Sequence, residues 1–78
     1  MKEEQILSNN NVSPICKILR TLDPGTPFAS ITVQGSTKEV KILACFDAEN
    51  NIATFIYADG NLEIVNCNEI SSFELRNI

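Results

Sequence analysis

The stretch Thr37-Lys38-Glu39-Val40-Lys41-Ile42-Leu43-Ala44-Cys45-Phe46-Asp47-Ala48-Glu49-Asn50-Asn51 decides how this chain is read. Its body, Val40 to Phe46, begins with apolar and polar residues in alternation and then becomes apolar on both sides. That is the pattern of a strand whose first part has one wet face and whose second part is enclosed, as in a strongly bent strand of a small barrel. Asp47 to Asn51 supplies turn chemistry, because Asp and Asn side chains bond to nearby backbone and tolerate left-handed conformations.

Working backwards, Ala29, Ile31 and Val33 alternate with Ser30, Thr32 and Gln34, which predicts a strand over Phe28 to Gln34 turned back at Gly35-Ser36-Thr37. Ser13-Pro14 is a helix start, with Ser as the cap and Pro at a position that needs no N–H. Val12, Ile15, Ile18, Leu19 and Leu22 draw one apolar stripe along a helix of about nine residues, which Asp23-Pro24-Gly25 stops. So short a helix does not persist alone, and its stripe must lie against the strands. Residues 1–11 end in Ser8-Asn9-Asn10-Asn11 and read as a mobile polar arm, leaving residues 12–78 as the domain.

Working forwards, Ile52 to Ala58 reads as a third strand, Asp59-Gly60 as a two-residue hairpin, and Leu62 to Cys67 as a fourth strand. Asn68-Glu69-Ile70 reads as one tight turn and Ser71 to Leu75 as a fifth strand. The expected fold is therefore mainly β: a small five-stranded antiparallel barrel preceded by one helix. Ile64 and Phe73 are expected in the barrel core or at a subunit seam.

Seventy-eight residues bury a modest core, so the isolated monomer is expected to be marginal and to associate with itself. No apolar run approaches the roughly 20 residues that cross a bilayer, and the acidic start Met1 to Leu7 lacks the basic and apolar segments of a leader. The expectation is a cytoplasmic protein with no membrane contact. Ten acidic against six basic side chains give a net charge of −4, which works against nucleic acid as a partner at long range. The three cysteines, Cys16, Cys45 and Cys67, form neither an even set nor a Cys-x-x-Cys pair, and the chain has no histidine. They read as reduced, buried thiols, and no metal or cofactor is expected. Asn11-Val12-Ser13 matches a glycosylation acceptor but is directly followed by Pro14 and carries little weight.

The order of a helix, then five bent strands with a one-turn break before the last, resembles the Sm-like (SH3-like) barrel fold, in particular its bacterial Hfq branch, from Pro14 to Leu75. Phe28 to Gly35 is similar to the family's first strand and glycine turn, Phe46-Asp47 to the pair that closes its second strand, and Asn68 to Ser71 to the start of its last strand. The resemblance implies a ring, usually a hexamer in the bacterial branch, built by pairing the fourth strand of one copy with the fifth of the next. It also implies an RNA site at the pore, and there this chain departs from the pattern. Where the family carries an aromatic residue and then Lys-His, this chain has Asn66-Cys67-Asn68, and the family's base-stacking aromatic falls on Glu49. Cation and π-face, the usual holders of single-stranded RNA, are both missing. Some divergent members of the family, cyanobacterial ones among them, resemble this chain in this respect and are implicated in protein contacts.

Catalysis is the least favoured class, since neither carboxylates nor thiols have a recognisable partner and Asp47 with Glu49 reads as a turn former beside a solvated charge. A regulatory module acting through an unidentified protein partner ranks first. RNA binding at a rim or on the opposite face, with Lys17, Arg20, Lys38 and Lys41 as phosphate contacts, ranks second. An acidic nucleic-acid mimic ranks third, because Glu39, Asp47, Glu49, Asp59, Glu63, Glu69 and Glu74 are mostly isolated charges.

Overall fold

In a computed structural model, described over residues 13–77, the chain forms one helix and six strands arranged as two three-stranded antiparallel sheets. The polar arm of residues 1–11, Val12 of the helical stripe and Asn11 of the glycosylation match lie outside the described residues.

Helix α1, Pro14–Leu19, starts as its sequence dictates: Ser13 is extended and its hydroxyl accepts the Cys16 N–H at 3.1 Å, with Pro14 in the first turn. It is shorter than the expected nine residues. After Leu19 the bonds tighten to three-residue spacing, with Thr21 N–H donating to Ile18 O and Leu22 N–H to Leu19 O. The stripe is also narrower: Cys16 and Leu19 are buried, Ile15 and Leu22 are packed at the core's margin, and Ile18 is 46% exposed. One turn and a half of helix presents only an i, i+3 pair squarely to the sheets.

Strand β1, Phe28–Val33, pairs with β2, Ser36–Lys38, through a hairpin in which Gln34 and Gly35 both take positive φ, 51° and 85°. That is the two-residue turn whose twist matches its strands, so the turn sits one residue earlier than Gly35 to Thr37. After β2 the ladder is interrupted at Glu39 alone, and β3, Val40–Asp47, joins the other sheet. The expected long central strand is thus two strands that share a corner. Register shifts in the β3–β4 ladder between Val40 and Ile42 and between Leu43 and Cys45 bend β3 and change which side chains face inward. Val40 and Leu43 are buried, whereas Cys45 is exposed.

Strand β4, Ile52–Tyr57, pairs with β3 on one side and with β5, Leu62–Asn66, on the other. Their connection uses four residues, Ala58 to Asn61, closed by Tyr57 N–H donating to Asn61 O at 2.8 Å. A two-residue type I′ turn needs positive φ at both positions, and here Gly60 has it (93°) while Asp59 does not. Asp59 instead accepts the Asn61 N–H at 3.0 Å. A 3-10 turn, Cys67–Glu69, then leads into β6, Ile70–Leu75, which lies along β1.

The spatial orders are β2-β1-β6 and β3-β4-β5, linked by the corner at Glu39 and by an isolated bridge between Pro27 and Ile42. The sheets do not close into a barrel within one chain: β5 has only β4 as a neighbour and β6 has only β1. Between them lies a core in which Phe28 meets Phe55 edge-on at 5.0 Å and Phe73 at 5.4 Å, surrounded by Leu19, Ile31, Leu43 and Ile70. No polar or charged residue is buried among the described residues. Of the two residues expected in the core or at a subunit seam, Phe73 packs against the core, whereas Ile64 lies outside it, on the edge strand and 63% exposed.

The cysteines also differ from the expectation of three buried thiols. Cys16 and Cys67, 51 residues apart, form a disulfide with a Cα–Cα distance of 5.3 Å, in the usual range for such a bond, and only Cys45 is a free thiol. No helix among the described residues is long and apolar enough to cross a membrane.

Candidate functional site

Two connections meet at one end of the molecule, and the residues singled out as pore positions sit on them. The β3–β4 turn is shaped by Asp47, whose Oδ1 accepts the Glu49 and Asn50 N–H groups at 3.1 and 3.2 Å and whose Oδ2 accepts Asn50 Nδ2 at 2.8 Å. These bonds, the Asn50 side chain first, hold the Asp47 carboxyl below the ordinary carboxylate range. Asn51 closes the turn in the left-handed region, φ 59°, which Asn tolerates. Its carbonyl accepts the Cys67 N–H at 2.9 Å, joining this turn to the 3-10 turn after β5.

On that second turn, Asn66 Oδ1 accepts the Asn68 N–H at 2.8 Å and so caps the 3-10 turn. Asn68 Oδ1 accepts the Ser13 N–H at 3.0 Å, which ties the start of α1 to the same place. Cys67 is fully buried in its disulfide and presents nothing to solvent. The loop end therefore gathers Asn66, Cys67 and Asn68 against Asn51, with exposed Glu49 on the adjoining turn. Of the four expected pore positions, Glu49 and Asn68 are exposed, a carboxylate and an amide already in use.

The four cations of the rim reading are not gathered in one place. Lys17 and Arg20 lie on and just after α1, and the Arg20 guanidinium bonds to Ala48 O at 3.3 Å and Asn51 Oδ1 at 3.4 Å, at the loop end. Lys38 ends β2 and Lys41 lies near the start of β3, at the opposite end of a strand. From Lys41 to Asp47 such a strand covers roughly 20 Å, too far for one compact phosphate site.

Beside Lys41 is a residue that sequence reasoning passed over. Arg76 follows the last strand, and its guanidinium donates to Lys41 O at 2.7 Å and Phe28 O at 3.1 Å while its backbone N–H donates to Pro27 O at 3.3 Å. It straps β1 to β3 where the sheets meet, and with Glu39, Lys41, Val40, Ala29 and Ala58 it lines a shallow depression of about 280 Å³. The only sequence signal was a lone cation just past a strand end. Among the described residues no group of three or more His, Cys, Asp or Glu is arranged to hold a metal ion.

The other exposed feature is apolar. Leu62 and Ile64, 57% and 63% exposed, stand on the same side of β5, and Leu75, 46% exposed, ends β6. Each of these strands has a single neighbour in its sheet, as β2 and β3 also do on the side where the two sheets share a corner. Comparison with protein-family models, with curated proteins and with solved structures finds no match.

Proposed function

We propose that the chain is a non-catalytic, ring-forming Sm-like module of the Hfq type that acts through protein contacts and whose U-rich RNA pore site is degraded. The observation that carries this reading is the pair of open strand edges, β5 and β6, furnished with exposed Leu62, Ile64 and Leu75. Taking β2 and β3 as one strand bent at Glu39, the path β6-β1-β2/β3-β4-β5 has five members, the number the resemblance implies, with β6 and β5 at its two ends. An open edge is a row of unpaired N–H and C=O groups that a second strand satisfies, and pairing β5 of one copy with β6 of the next is a head-to-tail contact that closes a ring when its rotation allows, the hexamer being the expected number. The barrel is then completed by neighbours rather than within one chain.

The degraded pore rests on the loop end. Cys67 is sealed in the core, Asn66 and Asn68 are occupied in capping and in holding Ser13, and Glu49 offers a charge that repels phosphate. A net charge of −4 favours a basic or apolar protein surface as partner. Fluorescence anisotropy with U-rich and A-rich oligomers tests this. The native chain is expected to bind either with a Kd no tighter than about 10⁻⁵ M at physiological salt, the non-specific scale. The variant Glu49→Phe/Asn68→Lys, altered at the two exposed positions and leaving Cys67 in its disulfide, is expected to gain affinity for the U-rich oligomer by restoring a stacking face and a cation. Sub-micromolar binding of the A-rich oligomer by the native chain would instead favour the rim or opposite-face RNA reading, with an extended RNA strand reaching between the separated cations Lys17, Arg20, Lys38 and Lys41.

A further inference from the structure

Helix α1 is held to the rest of the chain by few attachments, and one of them is covalent. Six residues of helix have no persistence of their own in water. Leu19 is the one fully buried aliphatic side chain on the helix; Ser13 N–H to Asn68 Oδ1 and the two Arg20 bonds are exposed to solvent. Ile15 and Leu22 add partial packing at the core's margin, and the covalent attachment is the Cys16–Cys67 disulfide, which joins the middle of the helix to the 3-10 turn between β5 and β6. No strand ladder includes α1, so the helix can leave without a sheet hydrogen bond being broken.

We propose that the Cys16–Cys67 disulfide is a redox clasp: a dithiol reductant opens it, α1 lifts off the 3-10 turn, and the loop end at Asn66 to Asn68 is uncovered while both sheets stay folded. In the exchange a reductant thiolate attacks one sulfur and the other leaves as a thiolate. The reductant's second thiolate then attacks the mixed disulfide, releasing the first sulfur and closing the reductant's own disulfide. Two electrons and two protons end on Cys16 and Cys67 as thiols, and one reductant molecule is oxidised. Because both sulfurs are fully buried, attack waits on a transient local opening of α1, so reduction and helix release are coupled. A bond of this kind persists in an oxidising compartment and is transient in a reducing one, which is the condition the clasp reads. The clasp lies within one chain and is independent of ring formation.

Limited trypsin digestion of the full chain, oxidised and after treatment with dithiothreitol, reads the clasp directly, since Lys17 and Arg20 lie on and beside the helix. Cleavage after these two residues is expected to accelerate by about tenfold or more on reduction, the behaviour of a segment that opens locally. Amide exchange in β3 and β4 should stay protected, and re-oxidation should restore the slow cleavage. Cys16→Ser/Cys67→Ser should be cleaved fast with or without reductant, while Cys45→Ser should keep the switch. Three results would overturn the proposal: equal cleavage of the oxidised and reduced chains, loss of β3 and β4 protection on reduction, or three titratable thiols in the denatured, unreduced protein.

Discussion

Tyr57 reaches diagonally across the β4–β5 hairpin to Glu63, its phenol O–H donating to Glu63 Oε1 at 2.8 Å. Burial first, then this bond and the charges of Glu63 and Asp59, raise the Tyr57 pKa above its ordinary value. A native pKa above the unfolded one means that the contribution to stability is complete below about pH 10 and is lost as the pH rises through the native value. Tyr57→Phe should therefore flatten the alkaline fall of the urea midpoint between about pH 9 and pH 11 relative to the native chain. Asp47 has the opposite sign. Its pKa is lowered by the turn bonds, so its contribution is present above the unfolded value near 3.8 and is lost as the pH falls through the native one. Asp47→Asn should remove that acid-side slope, read from acid titrations of unfolding. Asp47 as a turn former was legible from residue type alone, because its chemistry is local. The cysteines were not: a separation of 51 residues carries no pairing information, and the shift after Leu43 that turns Cys45 outward belongs to the β3–β4 ladder.

At the scale of elements, most of the strands could be read from alternation and turn residues, and β1, β3, β4 and β5 begin where the sequence predicts. What could not be read is where a ladder changes sheets, because Glu39 looks like any polar residue between two apolar ones. Whether Ile64 faces a core was equally hidden, since a one-residue difference in register reverses every side chain of a strand. Mutations separate these cases. Phe55→Ala, at a fully buried ring, should cost about 3–5 kcal/mol, and Phe73→Ala, half-buried beside Phe28, about 2 kcal/mol. Ile64→Ala should change the stability of a dilute single chain by less than about 0.5 kcal/mol, as surface changes do. Calorimetry or denaturant titration at low concentration measures all three. A large loss for Ile64→Ala under those conditions would show that its side chain is covered within one chain. Ile64→Lys adds a charge to the open edge and, on the ring reading, should weaken association without unfolding the sheets.

For the whole molecule, a chain of 78 residues whose edge strands β5 and β6 carry exposed Leu62, Ile64 and Leu75 has apolar surface that association would cover. The two turns of the loop end are tied to each other and to the start of α1 by their own bonds. Ring formation through the β5 and β6 edges, as proposed, would set the mass of the particle in solution. Sedimentation equilibrium of the oxidised native chain at micromolar concentration should give a discrete multiple of 8.6 kDa, six being the expected number, with Ile64→Lys shifted towards one copy. A single species at 8.6 kDa for the native chain would contradict the account.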